Sequence, residues 1–265
     1  MTSKQNWVLI TGAGLRLGRS LCTQFAQAGW SVLAHYHSSH DQALQTQEQV
    51  RSLGVGCELL HADLGAELAA DQLFSQATAL LGQAPRCIVN NASQFVQDDA
   101  YNTNSAALHR NFGINTISPI LLANRLAEWV RSSPAAAPGH YSVIHVLDQK
   151  VHNLNPDYFS YTMSKLALER AVALQARALS PWVRVCGLSP GLMFLSGAQT
   201  PANFARAARC NLLRTPLLAE DVAAGAVFLA STAGICGCTL VVDNGQHLVA
   251  LDRDVMFAIE ATEGA

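Results

Sequence analysis

The chain has 265 residues, of which 50% are hydrophobic and 14% charged, with a formal net charge of −2. The length suits one large α/β domain or two small ones, and the near-neutral charge excludes any electrostatic case for nucleic acid or an acidic membrane surface. A charged fraction well below the typical value of roughly 25% predicts that surface is also buried between subunits. Seven scattered cysteines and the absence of a signal peptide indicate reduced thiols and a cytoplasmic protein.

Apolar, β-rich runs alternate with helical patterns along the chain. The predicted strands are 7–11, 31–37, 56–64, 86–93, 141–148, 183–191 and 238–245, and the predicted helices are 18–29, 41–54, 68–82, 109–132, 159–179 and 219–231. Continuous apolar strands between helices are typical of a parallel sheet that is covered on both faces. We therefore predict a single α/β domain over 1–265, with a Rossmann-type, doubly wound sheet of about seven strands.

Three segments depart from this simple alternation. Residues 132–140 are rich in Pro and Gly and are predicted to be a connector. Residues 192–216 are too long for an ordinary loop, so we predict an insert that covers the substrate, the alternative being a helical insert that only packs. The uncharged stretch between Asp221 and Asp243 fits a helix, a turn and a strand better than a membrane span.

A glycine-rich loop follows the first predicted strand, in the pattern Thr11-Gly12-x-Gly14-x-x-x-Gly18. Main-chain N–H groups at the start of a helix bind phosphate, and glycine lets a pyrophosphate approach the backbone closely. The spacing is one residue longer than the common G-x-G-x-x-G pattern. A strand, this loop and an amphipathic helix in succession predict a dinucleotide cofactor.

The second predicted strand ends in "HYHSSHDQ", where the first acidic residue is Asp41, already in the next predicted helix. NAD sites usually place a carboxylate at this strand end to accept the ribose hydroxyl, so its absence favours NADP. The side chains that could donate to a 2′-phosphate are Arg16, His37, Ser38 and Ser39. His35 and His37 lack an evident third ligand, so we predict no metal site.

Tyr161 and Lys165 lie four residues apart in a helical pattern and therefore share a face of that helix. A free tyrosine loses its proton at about pH 10, and a neighbouring ammonium lowers the pKa towards a useful acid/base range. The alternative is a surface pair without a role.

These motifs together resemble the short-chain dehydrogenase/reductase family over essentially the whole chain. The resemblance implies that Asp63 contacts adenine, that Asn115 holds a proton-relay water, and that the protein is a homotetramer or a dimer. The catalytic residues it implies are Asn115, Tyr161 and Lys165, and we add Asp148 to this predicted set. Together with the residue-based predictions above, the predicted cofactor residues are Thr11, Gly12, Gly14, Arg16, Leu17, Gly18, His37, Ser38, Ser39, Asp63, Leu64, Asn91, Ala92, Ser93, Pro190 and Gly191.

Asp148 stands where the catalytic serine of that family normally ends the fifth strand. With Arg16 in the glycine loop, "HYHSS", and Ser93 and Phe95 in "NNASQF", the chain resembles the pteridine reductase branch, which includes dihydromonapterin reductases. This resemblance implies that Asp148 and Tyr161 deliver a proton to a ring nitrogen while NADPH gives hydride to the adjacent carbon. It also implies that Phe95 stacks the pterin against the nicotinamide.

The chemistry supports the same prediction, because a carboxylate repels the oxyanion that develops from a ketone but accepts hydrogen bonds from an amino-pyrimidinone edge. We therefore predict NADPH-dependent reduction of a pterin-like C=N bond. The predicted substrate contacts are Arg16, Ser93, Phe95, Asp148, Tyr161, Leu192 and Met193. Two other functions stay open, a carbonyl or enoyl reductase of the same family and a non-catalytic NADP-binding regulator. Asp148 and Asp63 could also serve only as caps of a turn or helix.

Overall fold

The computed structural model describes residues 6–133 and 137–261. Within these ranges the strands are β1 (Trp7–Ile10), β2 (Ser31–Tyr36), β3 (Cys57–His61), β4 (Cys87–Asn90), β5 (Tyr141–Val146), β6 (Val183–Pro190) and β7 (Thr239–Val242). The helices are α1 (Arg16–Gln27), α2 (His40–Ser52), α3 (Ala69–Leu81), α4 (Ser105–Phe112), α5 (Ser118–Ser132), α6 (Phe159–Leu179), α7 (Pro201–Ala207), α8 (Ala219–Ser231) and α9 (Val255–Ala261). The start of the chain and part of the predicted connector, 1–5 and 134–136, lie outside the described residues.

The strands form one parallel sheet in the order β3-β2-β1-β4-β5-β6-β7. This confirms the predicted doubly wound sheet. The strand order reverses between β1 and β4, and in such sheets ligands bind at the carboxyl ends of the strands beside this switch point.

Side chains of β1 show why its sequence is apolar without alternation. Val8 and Ile10 lie in the core that packs against α1 and α8, and Leu9 points into the core beneath α3 and α5. All three side chains are fully buried. Since successive strand residues face opposite sides, a sheet with helices on both faces requires apolar residues at every position.

The predicted strands were too long at their carboxyl ends. β4 ends at Asn90 instead of 93, because the N–H groups of Asn91 and Ala92 both donate to Thr11 Oγ1 at 2.9 Å and leave the sheet. The predicted helix 109–132 is two helices, joined by a π-helical turn at Gly113–Ile117. The extra residue of such turns breaks the 3.6-residue period, so a periodic pattern does not reveal it.

The uncharged stretch before Asp243 contains α8, a turn and β7, as predicted. No helix in the described part of the chain has both the length and the apolar content needed to cross a membrane.

Candidate active site

A cavity of about 550 Å³ opens at the carboxyl end of the sheet, beside the switch point between β1 and β4. The predicted residues that line it are Gly12, Arg16, Leu17, Gly18, His37, Ser38, Ser39, Asp63, Leu64, Asn91, Ala92, Ser93, Phe95, Asp148, Tyr161, Lys165, Pro190, Gly191, Leu192 and Met193. Thr11, Gly14 and Asn115 are not in the lining. The fold thus brings nearly all predicted site residues around one cavity.

The glycine loop is set by close backbone contacts. Gly12 has a φ of +64°, and a Cβ added to it would lie 2.9 Å from Ala92 Cα, so only glycine fits there. Thr11 and Gly14 support the loop through close contacts with neighbouring segments. The Thr11 hydroxyl holds the turn after β4 in place, and a Cβ at Gly14 would lie 2.8 Å from Ser39 Oγ.

The start of α1 faces the cavity and suits an anion. Leu17 and Gly18 in its first turn line the cavity, the N-cap residue is the apolar Leu15, and this turn contains no acidic residue. Free N–H groups and the helix dipole at such a terminus favour phosphate.

The end of β2 presents hydroxyl and imidazole groups, not a carboxylate. His37, Ser38 and Ser39 line the cavity, and Asp41 lies in α2, as predicted. Asp63 also lines the cavity, and its Oδ1 accepts a 2.9 Å hydrogen bond from Gly65 N; it does not cap α3, whose N-cap residue is Leu68. The imidazole and hydroxyl donors at the end of β2 suit a 2′-phosphate.

His35 is a cavity residue that the sequence did not reveal. It is buried, its Nδ1 accepts from Gly12 N at 3.2 Å, and its Nε2 donates to Ala62 O at 3.1 Å. Burial lowers the pKa of His35 to about 4. A neutral imidazole therefore supports the glycine loop, and the pairing of β1 with β2 is what places it there.

Asp148 and Tyr161 form the predicted pair. Tyr161 Oη donates to Asp148 Oδ2 at 2.8 Å, and Asp148 Oδ1 accepts from Lys150 N at 2.9 Å. Asp148 thus caps the short 3₁₀ turn Gln149–Val151 with one oxygen and holds the tyrosine with the other. Asp148 therefore caps a turn, as the alternative prediction had it, and contacts Tyr161 as well.

The pKa of Tyr161 is shifted in the direction opposite to the one that the sequence predicted. Burial, followed by the Asp148 carboxylate, raises the pKa of Tyr161 well above its usual range, whereas the sequence predicted a lowered value. Burial also raises the pKa of Asp148 and lowers that of Lys165 to about 8. Lys165 Nζ donates to Val146 O at 2.7 Å and lies 5.8 Å from the centre of the Tyr161 ring. Burial and the adjacent carboxylate outweigh the lysine, so the phenol keeps its proton.

Asn115 lies in the π-helical turn and is fully buried. Its Oδ1 accepts from Gln94 N at 2.8 Å, and its Nδ2 donates to Ser164 Oγ at 3.0 Å. The side chain therefore ties the segment that carries Phe95 to α6. Extra-residue turns of this kind are frequent at functional sites.

Phe95 lines the cavity and is 40% exposed. Its ring stacks on Tyr158, with centroids 4.1 Å apart, and meets the edge of Tyr161 at 4.6 Å. Exposed aromatic surface beside the acid pair offers a place for a flat ring.

Part of the cavity wall was missed by sequence reasoning. Phe194 and Ser196 in the lining belong to the predicted cover, and the lining residues outside every prediction are Leu15, His35, Gln94, Ile114, Val146, Leu147, Gln149, Lys150, Gln246, Asp254 and Val255. The last three come from beyond β7, where no motif marks a site. Arg16 Nη2 also donates to Leu195 O at 3.2 Å, which joins the glycine loop to the segment after β6. In the described part of the chain, no group of three or more His, Cys, Asp or Glu residues could hold a metal ion.

Comparisons with known proteins agree with this geometry. Residues 12–247 match the family model described as Enoyl-(Acyl carrier protein) reductase. Dihydromonapterin reductase of Klebsiella pneumoniae subsp. pneumoniae is 26% identical over 243 residues, and pteridine reductase 1 of Leishmania tarentolae is 30% identical over an alignment of 280 residues. Each alignment covers 91% of this chain and 96% of the relative.

A solved structure extends the likeness to three dimensions. The crystal structure of FolM Alternative dihydrofolate reductase 1 from Brucella canis complexed with NADP is 30% identical and has a TM-score of 0.84. The match covers 92% of this chain and 94% of that chain. The two structures therefore share their fold over most of both chains.

Proposed function

Because the chain belongs to the short-chain dehydrogenase/reductase family, we propose that it is an NADPH-dependent reductase of a pterin-like C=N bond. The observation that carries this proposal is the 2.8 Å hydrogen bond from Tyr161 Oη to Asp148 Oδ2 in the cavity lining. A carboxylate at this point disfavours a developing oxyanion and favours the N–H groups of a pterin edge. The names of the relatives, dihydromonapterin reductase and pteridine reductase 1, support the same substrate class.

The residues around the cavity fit NADP, because its glycine cradle leaves no room for a Cβ and the end of β2 carries donors in place of a carboxylate. The first turn of α1 would hold the pyrophosphate, and Lys165 would hold the nicotinamide ribose. The residues that would hold the 2′-phosphate are His37, Ser38 and Ser39. Bound NADPH supplies a hydride.

Tyr161 is the acid of the proposed reaction. Its raised pKa keeps the proton on Oη at neutral pH, and from there it is donated to the ring nitrogen of the substrate. The Lys165 ammonium stabilises the phenolate that this transfer leaves. Asp148, whose pKa is raised by burial, takes a proton from solvent and returns it to Tyr161 Oη.

The substrate would lie between Phe95 and the segment after β6. Phe95 offers its exposed ring surface, and Leu192 and Met193 line the cavity. Residues 192–216 act as the cover of this site, and the bond from Arg16 to Leu195 O supports that role. Arg16 and Ser93 then reach the polar edges of the bound ring.

The proposal also includes a cytoplasmic homotetramer or dimer. Met163 and Leu174 on α6 are 42% and 69% exposed, which supports burial of this helix against another copy. Light scattering after size-exclusion chromatography tests the oligomer, and a monomer at micromolar concentration would refute it.

To test this function, the wild-type protein is mixed with NADPH and a dihydropterin, a ketone or an enoyl thioester. The loss of NADPH absorbance measures turnover. We expect turnover of a dihydropterin. Turnover of ketones or enoyl thioesters alone would replace the proposal with the carbonyl or enoyl reductase. NADPH binding without turnover of any substrate would favour the regulator.

A further inference from the structure

Residues 253–257, here termed the C-terminal segment, lie against the part of the cavity that Phe95, Asp148 and Tyr161 line, here termed the substrate half. Asp254 and Val255 belong to the cavity lining although they are about ninety residues away from Tyr161 in sequence. The segment includes the first turn of α9, and α9 packs on α7 through a 2.9 Å hydrogen bond from Asn203 Nδ2 to Met256 O. It therefore joins the cavity wall through contacts that are distant in sequence.

An ion pair provides the first connection. Lys150 is 2% exposed, and its Nζ donates to Asp254 Oδ2 at 2.8 Å and to Asn155 Oδ1 at 2.7 Å. The main-chain N–H of the same Lys150 donates to Asp148 Oδ1. Since a buried ammonium needs a counter-charge, Asp254 fixes the turn that holds the catalytic carboxylate.

A second ion pair connects the segment to the start of α6. Arg253 binds Asp157 with two parallel bonds, from Nε to Oδ2 at 2.8 Å and from Nη2 to Oδ1 at 2.7 Å. Asp254 N donates to Asp157 Oδ2 at 2.7 Å. Asp157 lies just before the helix that carries Tyr161, and bidentate pairs of this kind fix orientation as well as distance.

A stack of rings provides the third connection. The ring of Phe257 is nearly parallel to that of Tyr158, with an interplanar angle of 18° and centroids 6.2 Å apart. Tyr158 is buried and makes the same 18° angle with Phe95 at 4.1 Å. The phenylalanine that faces the proposed substrate therefore leans on a tyrosine that the C-terminal segment supports.

We propose that the C-terminal segment is a positioning element for the substrate half of the site, with Asp254 and Lys150 as its ionic anchor. The segment acts on Asp148 through the turn at Lys150 and on Phe95 through the ring of Tyr158. The nucleotide half of the cavity, which the glycine loop and the end of β2 line, does not depend on the C-terminal segment. The effects that we predict below on KM and on the pH profile rest on the proposed function.

The anchor also sets the charge around the acid pair. The charged groups that face Asp148 or Tyr161 are Lys150 from the turn after β5, Lys165 from α6 and Asp254 from the C-terminal segment. Burial raises the pKa of Asp148 and Lys150 opposes that rise; burial and Asp148 raise the pKa of Tyr161 and Asp254 adds to the rise. Removing Asp254 should therefore lower the pKa of Tyr161, and removing Lys150 should raise the pKa of Asp148.

Asp254→Asn is the main test, because asparagine keeps an acceptor for the 3.1 Å hydrogen bond from Met256 N that begins α9. We expect the KM for a dihydropterin to rise about tenfold, as for the loss of one charge-assisted hydrogen bond, with the Kd of NADPH within about twofold of wild type. The pH profile of kcat/KM should move to lower pH in Asp254→Asn and to higher pH in Lys150→Met. Glu58→Gln, which removes the exposed pair with Arg51, is the matched control and should change neither readout.

Opposite shifts of the two profiles support the positioning role. An unchanged KM with superimposable profiles, or shifts in the same direction, would overturn it. If the wild type does not turn over any dihydropterin, the proposed function fails, and hydrogen exchange with NADP bound decides the inference instead. Asp254→Asn should then speed exchange in residues 148–161 about tenfold and leave 12–18 unchanged; equal exchange in both variants and wild type would reject the role.

Discussion

The nucleotide half and the substrate half of the cavity are built in different ways. The nucleotide half is made of backbone, with Gly12 and Gly18 fitted so closely that no Cβ can be added. The substrate half is made of side chains that meet across the chain, as Asp148 meets Tyr161 and Lys150 meets Asp254. Steric demands appear in a sequence as a glycine pattern, whereas the pair of Lys150 and Asp254 leaves no pattern in it.

This difference predicts that the two halves fail separately. A lesion in the backbone cradle should weaken cofactor binding first, while a lesion in the side-chain pairs should reduce turnover with the cofactor still bound. The following substitutions test that separation in order of expected effect.

Tyr161→Phe breaks the substrate half alone. The variant lacks the proton donor but keeps the ring that packs on Phe95, so turnover of a dihydropterin should fall about 1000-fold, with NADPH affinity unchanged. Steady-state kinetics and fluorescence titration with NADPH measure the two quantities. Tyr101→Phe, at a fully exposed position, is the control. Unimpaired turnover in Tyr161→Phe would remove tyrosine from the mechanism.

Gly18→Ala breaks the nucleotide half. The added Cβ would overlap the main-chain oxygen of Gly12, so the loop must shift and NADPH affinity should fall about 100-fold. Isothermal titration measures the affinity. Gly234→Ala is the matched control because no atom lies within 4 Å of the added Cβ. Equal affinities in the two variants would show that the cradle is not needed.

The third prediction concerns how His35, which lies beneath the glycine loop, makes the stability of the fold depend on pH. The folded chain keeps this imidazole neutral to about pH 4, whereas the unfolded chain takes up a proton below its ordinary pKa of 6.5. Unfolding is therefore favoured as the pH falls through this window. Between about pH 7 and pH 5, the wild type should lose about 2 kcal/mol more stability than His35→Asn. Urea unfolding measures both slopes, and equal slopes would contradict the neutral buried imidazole.

The sequence predicted the sheet, the nucleotide half and the acid pair. Regular alternation located each strand, and the glycine spacing located the phosphate end of the cavity. Asp148 stood out because its residue type is unusual at that position. The predicted strand ends were less accurate, since Asn91 and Ala92 leave the sheet to bind Thr11.

The remaining features depend on tertiary contacts that no local pattern displays. Asp254 lies at the cavity because it binds Lys150 and Asp157, and His35 reaches Gly12 because β2 pairs with β1. The pKa of Tyr161 was predicted in the wrong direction because Lys165 was visible four residues away. Burial and the carboxylate of Asp148 outweigh that lysine once the chain is folded.

The central claim is that the carboxylate beside Tyr161 commits the site to a C=N bond, and Asp148→Ser tests it most directly. Serine still offers an oxygen near the tyrosine but removes the charge that disfavours an oxyanion. The measurement is kcat/KM for a dihydropterin and for a ketone in the wild type and the variant. We expect the dihydropterin value to fall about 100-fold while the ketone value is retained or rises. A dihydropterin value within about twofold of wild type would contradict the claim.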